Sequence, residues 1–362
     1  MSLSIAIVGL PNVGKSTLFN ALTDSNVLAA NYPFATIEPN TGIVSVPDTR
    51  LQKLSELYGN APVRPATVTF VDVAGLVKGA SEGEGLGNQF LSHIRATNAI
   101  VQVVRAFADP NVVTDEATGT HDPARDIETI NTELILADLQ TLAKRLPRLE
   151  KESRANPKLK PEYDTLHQVH ELLDSGKPVW SQPDLDLSHL SDLFLLTAKP
   201  VIYVFNVDEA GLRDSALHDQ LAGLVAPSPT LLICAKLEDE LRGLDASDRS
   251  ELLESYGVHE SGLHQLVRAA YDTLGLQSYL TAGEKEVRAW TIPRGATAPQ
   301  AAGVIHGDFE RGFIAAEVVD YGDIIVLGSL QAARAAGKVR TEGKTYVMRP
   351  DDVVEFRFNV TK

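Results

Sequence analysis

Apolar and polar positions change rhythm three times along the 362 residues of the chain. Up to about residue 107, short apolar runs alternate with helical stretches. Ile5–Val8, Ile43–Val46, Thr67–Val71 and Ile100–Val104 read as strands, and Thr17–Leu22 as the start of a helix. That alternation predicts an α/β domain built on a mostly parallel sheet. Between 108 and 198 the spacing becomes helical. Ile135, Leu139, Leu142, Leu146 and Leu149 step by three and four, the seam of a packed helix. Asn156-Pro157 and Pro161 interrupt it, then Tyr163, Leu166, Val169 and Leu173 resume it. The expectation is an antiparallel helical hairpin over 125–198, with Pro147 kinking the first helix or marking its end. The α/β rhythm returns at Val201–Phe205 and Thr230–Cys234, followed by a helix from Gly262 to Leu274, so the hairpin reads as an insertion. Beyond about 278, short strands are separated by glycines. In the last of them Val354, Phe356 and Phe358 alternate, which marks one buried face. The predicted organisation is a nucleotide-binding domain at 1–277, carrying the hairpin, and a smaller domain at 278–362.

The chemistry begins at the first loop. Gly9-Leu10-Pro11-Asn12-Val13-Gly14-Lys15-Ser16 is a complete G-x-x-x-x-G-K-[ST] phosphate loop between a strand and a helix. Glycines let the backbone turn its N–H groups toward phosphate oxygens, and the following helix adds its positive end. Asn12, Val13, Gly14, Lys15, Ser16 and Thr17 are therefore the candidate phosphate-binding residues. Lys15 is expected at the β- and γ-phosphates, and the Ser16 hydroxyl on Mg2+. Asp72-Val73-Ala74-Gly75 follows the strand Thr67–Val71. Asp72 at a strand end suits Mg2+ held through water, and the Gly75 N–H suits a γ-phosphate. Thr36 stands in a proline-bounded loop as a third metal ligand, one that a γ-phosphate would draw inward.

Tyr32-Pro33-Phe34-Ala35-Thr36, and the glycine-rich run from Gly75 through Gly79, Gly83, Gly85 and Gly87, resemble the Obg-like GTPases of the translation-factor class. The three-part layout narrows the resemblance to the YchF (Obg-like ATPase) family: a P-loop G domain, an inserted helical hairpin and a C-terminal TGS domain of β-grasp fold. It covers essentially the whole chain. Guanine readers commonly carry Asn-Lys-x-Asp after a strand, where the aspartate accepts both N1–H and N2–H2. Here the stretch reads Asn206-Val207-Asp208-Glu209. Losing a bidentate contact should cost about 1–3 kcal/mol of discrimination, enough to remove a guanine preference. The resemblance likewise implies ATP over GTP. Asn206 is a candidate for bonding the purine, Val207 for packing on it, and Glu209 for accepting from the adenine amino group. Cys234-Ala235-Lys236 lies where G proteins place a further base-contacting loop, with Ala235 as the candidate contact. Asn12 stands where related G proteins can hold a monovalent cation such as K+.

The hydrolytic group is not legible. Many switch GTPases orient water with a glutamine directly after D-x-x-G, but Leu76 stands there. The resemblance implies a histidine near Thr114, which is not one. His121 is a candidate, as is a solvated loop histidine at that position, and His93 is a weaker one. Slow turnover is the expectation.

Composition changes the picture little: 44% apolar and 22% charged residues suit a soluble globular protein. Apolar runs fall short of a membrane span, and no membrane partner is expected. The lone Cys234 sits in an apolar run, reads as a core thiol and fits a cytoplasmic protein. Net charge is −15, which argues against a generic nucleic-acid coat, and no DNA specificity is expected. The excess is uneven: residues 281–362 carry 11 basic and 11 acidic side chains, against 22 and 37 before them. The C-terminal domain is thus the segment least repelled by an RNA-rich partner. Resemblance implies ribosome or RNA binding there, particularly at the large subunit. Arg294, Arg311, Lys338, Arg340 and Lys344 are the candidate phosphate contacts.

Overall fold

The first apolar run forms β1 (Ser4–Gly9), whose interior residues are buried, and the phosphate loop joins it to α1 (Lys15–Asp24). The structure is a computed structural model that describes residues 3–24, 40–73, 86–107 and 122–359. The chain divides into two compact units, one of Met1–Val44 with Thr69–Ala270, the other of Ser45–Val68 with Tyr271–Lys362.

In the first unit, β2 (Thr41–Ser45) follows α1. The chain then leaves for the second unit, where it forms α2 (Thr49–Leu57) and β3 (Val63–Arg64), and returns as β4 (Thr67–Asp72). Next come α3 (Leu86–Ala96), the fully buried β5 (Ala99–Arg105), α4 (Pro123–Ala155) and α5 (Lys160–Asp174). The α/β pattern resumes with β6 (Val201–Asn206), α6 (Ser215–Val225), β7 (Thr230–Ile233), α7 (Ala235–Glu240), α8 (Ala246–Ser255) and α9 (Gly262–Thr273). The six strands lie in the order β2-β4-β1-β5-β6-β7. β1 pairs in parallel with β4 and β5, and β6 with β5 and β7. Strands buried at every residue, such as β5, suit a sheet covered on both faces, and β5 is apolar there except for the buried Gln102 and Arg105. One face packs Ile94 of α3 and Ile130 and Leu134 of α4 over Val8, Ile100, Tyr203 and Phe205.

The hairpin is two helices, as the spacing predicts. Asp122 caps α4 by accepting from Ala124 N at 3.0 Å, and proline occupies the first turn, where its missing N–H costs nothing. The helix does not stop at Pro147; it runs 33 residues to Ala155. Its first half belongs to the sheet core. Its second half makes a separate core with α5, where Leu142, Leu149, Leu166 and Val169 are fully buried. Asp138, wholly buried between these halves, accepts from Leu196 N (2.8 Å), Thr197 N (2.8 Å) and the Thr197 hydroxyl (2.7 Å). It thereby fixes where the chain leaves the hairpin and re-enters the sheet.

The second unit carries β8 (Leu276–Ala282), β9 (Val287–Pro293), α10 (Ala298–Ile305), α11 (Gly307–Arg311), β10 (Phe313–Asp320), α12 (Tyr321–Leu327), α13 (Leu330–Ala335), β11 (Arg340–Glu342) and β12 (Asp352–Phe358). The strands form a mixed sheet, β11-β10-β12-β8-β9-β3, and α10 packs its alanines on Tyr279, Ile292 and Val318. A mixed sheet against a helix is what a β-grasp fold requires. Residues 45–68 depart from the expected division at 277. β3 adds to the edge of β9 in parallel, and Arg50 donates to the Asp351 carboxylate at 3.0 Å. An uninterrupted G domain from 1 to 277 is therefore not what forms.

Candidate nucleotide site

Four segments reach the carboxyl ends of the first sheet, where open α/β sheets bind ligands. They are the phosphate loop after β1, Asp72 at the end of β4, Asn206 at the end of β6, and Cys234-Ala235 after β7. The loop needs its glycines. A Cβ on Gly9 would lie 2.9 Å from the carbonyl oxygen of Val103. Gly14 has φ +88°, and a Cβ there would lie 2.3 Å from Asn206 Nδ2. Asn12 also takes a left-handed conformation, φ +64°, which asparagine tolerates better than most residues.

α1 starts at Lys15, so the first-turn amides of this helix face the loop, as anion binding requires. Ser16 and Thr17 are exposed at that turn, and Val13 is buried beneath it. The Lys15 ammonium is buried and makes an ion pair with the Asp72 carboxylate. The cation expected at the phosphates and the carboxylate expected near Mg2+ thus hold each other. The donor set fits a hard divalent ion: a hydroxyl and a carboxylate, with ligand phosphate and water to complete the sphere. Among the described residues no cluster of three or more His, Cys, Asp or Glu stands ready to hold a metal unaided. Thr36, Gly75, Leu76, Thr114 and His121 lie outside the described residues. His93 is exposed in the last turn of α3.

The base end is held by Asn206, which is 7% exposed. Its Nδ2 donates to Val13 O at 2.9 Å, and its Oδ1 accepts from Ala235 N at 3.0 Å. Asn206 is therefore a strut that ties the phosphate loop to the start of α7, a role additional to the base contact expected of it. Val207 is 2% exposed, packed into the protein with its N–H on Ile233 O at 2.9 Å. Glu209 is not a free acceptor either. Its Oε1 accepts from Lys236 Nζ at 2.8 Å, and this contact holds the Glu209 carboxyl below its ordinary range and the Lys236 ammonium above its own. Lys236 belongs to the expected base-contacting stretch; its pairing with Glu209 is what sequence reasoning missed, because no spacing signals a pair between the loop after β6 and the start of α7. Burial pushes the Cys234 thiol up, in keeping with a core position.

The cations expected to meet RNA in the second unit are mostly engaged. Arg294 pairs with Asp272 and Arg311 with Asp308. Lys338 pairs with Asp323 at 3.2 Å, and Arg340 with Glu342 at 3.1 Å.

Residues 4–142 match the family described as 50S ribosome-binding GTPase, and residues 276–359 match YchF-GTPase_C, a family whose description gives no function. The chain is 49% identical to "Ribosome-binding ATPase YchF" of Bacillus subtilis, over 99% of this chain and all of that protein. It is 48% identical to the protein of the same name from Escherichia coli O157:H7, over the same shares. Among solved structures, the Schizosaccharomyces pombe YchF GTPase superposes with a TM-score of 0.87 at 39% identity, over 98% of each chain. With a phosphate loop, an inserted hairpin and a C-terminal β-grasp unit all in place, and such likeness end to end, the chain belongs to the YchF family.

Proposed function

We propose that this chain is a ribosome-associated P-loop nucleoside triphosphatase. It binds ATP in preference to GTP, with Mg2+, and hydrolyses it slowly. The γ-phosphate sets a switch that acts in translation or in a stress response. The observation that carries this reading is the base end. Val207 and the ion-paired Glu209 stand where a guanine reader needs a lysine and an unengaged aspartate. A carboxylate held by Lys236 is a poor acceptor for the two guanine donors. The names of the relatives, ribosome-binding ATPases, support the same substrate and partner.

In this reading the loop amides from Asn12 to Thr17 and the Lys15 ammonium bind the phosphates, with the Gly75 N–H at the last of them. Ser16, Thr36 and, through water, Asp72 hold Mg2+, which when bound neutralises phosphate charge. Asn12 supplies a ligand to K+. The ribosomal partner is the large subunit, with RNA contributing, and a cytoplasmic location follows from that partner. No helix among the described residues is long and apolar enough to cross a membrane. Leu76, in place of a water-orienting glutamine, supports slow intrinsic turnover. It also favours a second reading, a nucleotide-gated adaptor whose hydrolysis is incidental.

Competition binding tests the first reading. Unlabelled ATP should displace labelled ATP at about tenfold to hundredfold lower concentration than GTP does. Single-turnover hydrolysis with and without ribosomes separates the two. Stimulation supports the enzyme; a negligible rate in both supports the adaptor.

A further inference from the structure

In a chain of net charge −15, residues 144–160 carry seven basic and two acidic side chains. They form the end of α4 and the turn into α5. Lys144, Arg148 and Lys151 are spaced by four and three and so share one helix face. All three are exposed. The opposite side of the helix is fixed by the buried Leu142 and Leu149, which seat it on α5. The nearby carboxylates are already taken by other cations. Arg145 donates to Glu152 and Glu162 at 2.9 Å each, and Arg154 to Glu150 at 2.6 Å. Among the described residues, no carboxylate pairs with Lys144, Arg148 or Lys151, nor with Lys158 at the turn. The C-terminal unit shows the reverse pattern, with four of its five candidate phosphate-binding cations in ion pairs.

We propose that this stripe of α4 is a docking surface for the phosphate backbone of folded RNA. Three cations spread over eight residues cover about 10 Å of helix, a length over which several backbone phosphates of a duplex pass. Thr141, Lys144, Arg145, Arg148 and Glu152 line a groove of about 370 Å³ on the same surface. The favoured polyanion is RNA rather than an acidic protein face. No large apolar side chain is exposed between 141 and 160 to anchor a protein interface. Duplex RNA, by contrast, is recognised largely through shape and backbone contacts. The identity of the polyanion rests on the ribosome-associated reading above; the location of the surface does not.

The test uses the full chain with Lys144→Glu, Arg148→Glu and Lys151→Glu combined. Binding to a labelled RNA stem-loop and to intact ribosomes is measured across a salt series. RNA affinity should fall about tenfold or more at about 100 mM salt, and the slope of log affinity against log salt should flatten by about 2 to 3. Affinity for ATP should not change. A triple glutamine variant, which keeps the polar surface without reversing charge, should show the same flattening. Arg311→Gln with Lys338→Gln in the C-terminal unit should stay within about twofold of wild type. Wild-type RNA affinity and slope in the triple variants would overturn the proposal. So would a wild type that binds ribosomes but not free RNA while the triple variant loses ribosomes, since the surface would then take an acidic protein. A wild type that binds neither, in any nucleotide state, would defeat the ribosome reading along with it.

Discussion

Lys15 and Asp72 set the terms of the nucleotide site. Lys15 is buried and Asp72 half-buried, so each carries the other's charge compensation until a metal-bound triphosphate replaces it. Removing Asp72 leaves Lys15 as an uncompensated buried charge. Asp72→Asn is therefore expected to weaken the Mg2+ dependence of ATP binding and to lower stability, both readable from calorimetry and thermal melts. Lys236→Ala makes a sharper residue-scale prediction. It frees the Glu209 carboxylate, which Lys236 now holds below its ordinary range. The carboxyl should titrate at higher pH in the variant. The ratio of GTP to ATP affinity should rise severalfold, by competition binding. An unchanged ratio would remove Lys236 from base selection. The phosphate loop was fully legible in the sequence because its function fixes residue types at fixed spacing. The Lys236–Glu209 pair was not, because nothing local to either residue encodes it. Asn206 was legible as a candidate base contact, but its structural role was not. Its hydrogen bonds to Val13 and Ala235 depend on two loops meeting at a sheet edge.

At the scale of elements, the hairpin was the easiest part to read, since helical seams repeat. Its proline was the hardest. Pro147 lacks a backbone N–H, yet α4 passes through it, because the buried Leu142 and Leu149 on either side anchor both flanking turns against α5. Packing outweighed local propensity there. Leu166→Ala in that core should lower stability by about 2–5 kcal/mol in denaturant melts and leave ATP affinity unchanged. Asp138→Ala removes the acceptor for two buried amides and one hydroxyl. The loss should be about 1–3 kcal/mol or more, and the hairpin base should lose protection from hydrogen exchange.

For the whole molecule, the chain order and the division into units disagree. Periodicity along the sequence gives no sign that 45–68 belongs with 271–362, because each of its elements is an ordinary helix or strand by pattern. The pairing of β3 with β9 and the burial of Leu51 and Leu54 reveal it. An isolated 271–362 fragment is accordingly expected to fold poorly. Adding 45–68 through a linker should restore a cooperative melt and dispersed amide resonances. A well-folded fragment without it would refute that assignment. The central claim is that the sites on the first unit together recognise a triphosphate through its phosphates and prefer adenine at its base. Titration calorimetry of the full chain with ATP and with GTP, each with Mg2+, tests it most directly. ATP should bind about tenfold or more tightly than GTP, with heat abolished by Lys15→Ala. Equal or tighter binding of GTP, or undiminished heat in Lys15→Ala, would contradict it.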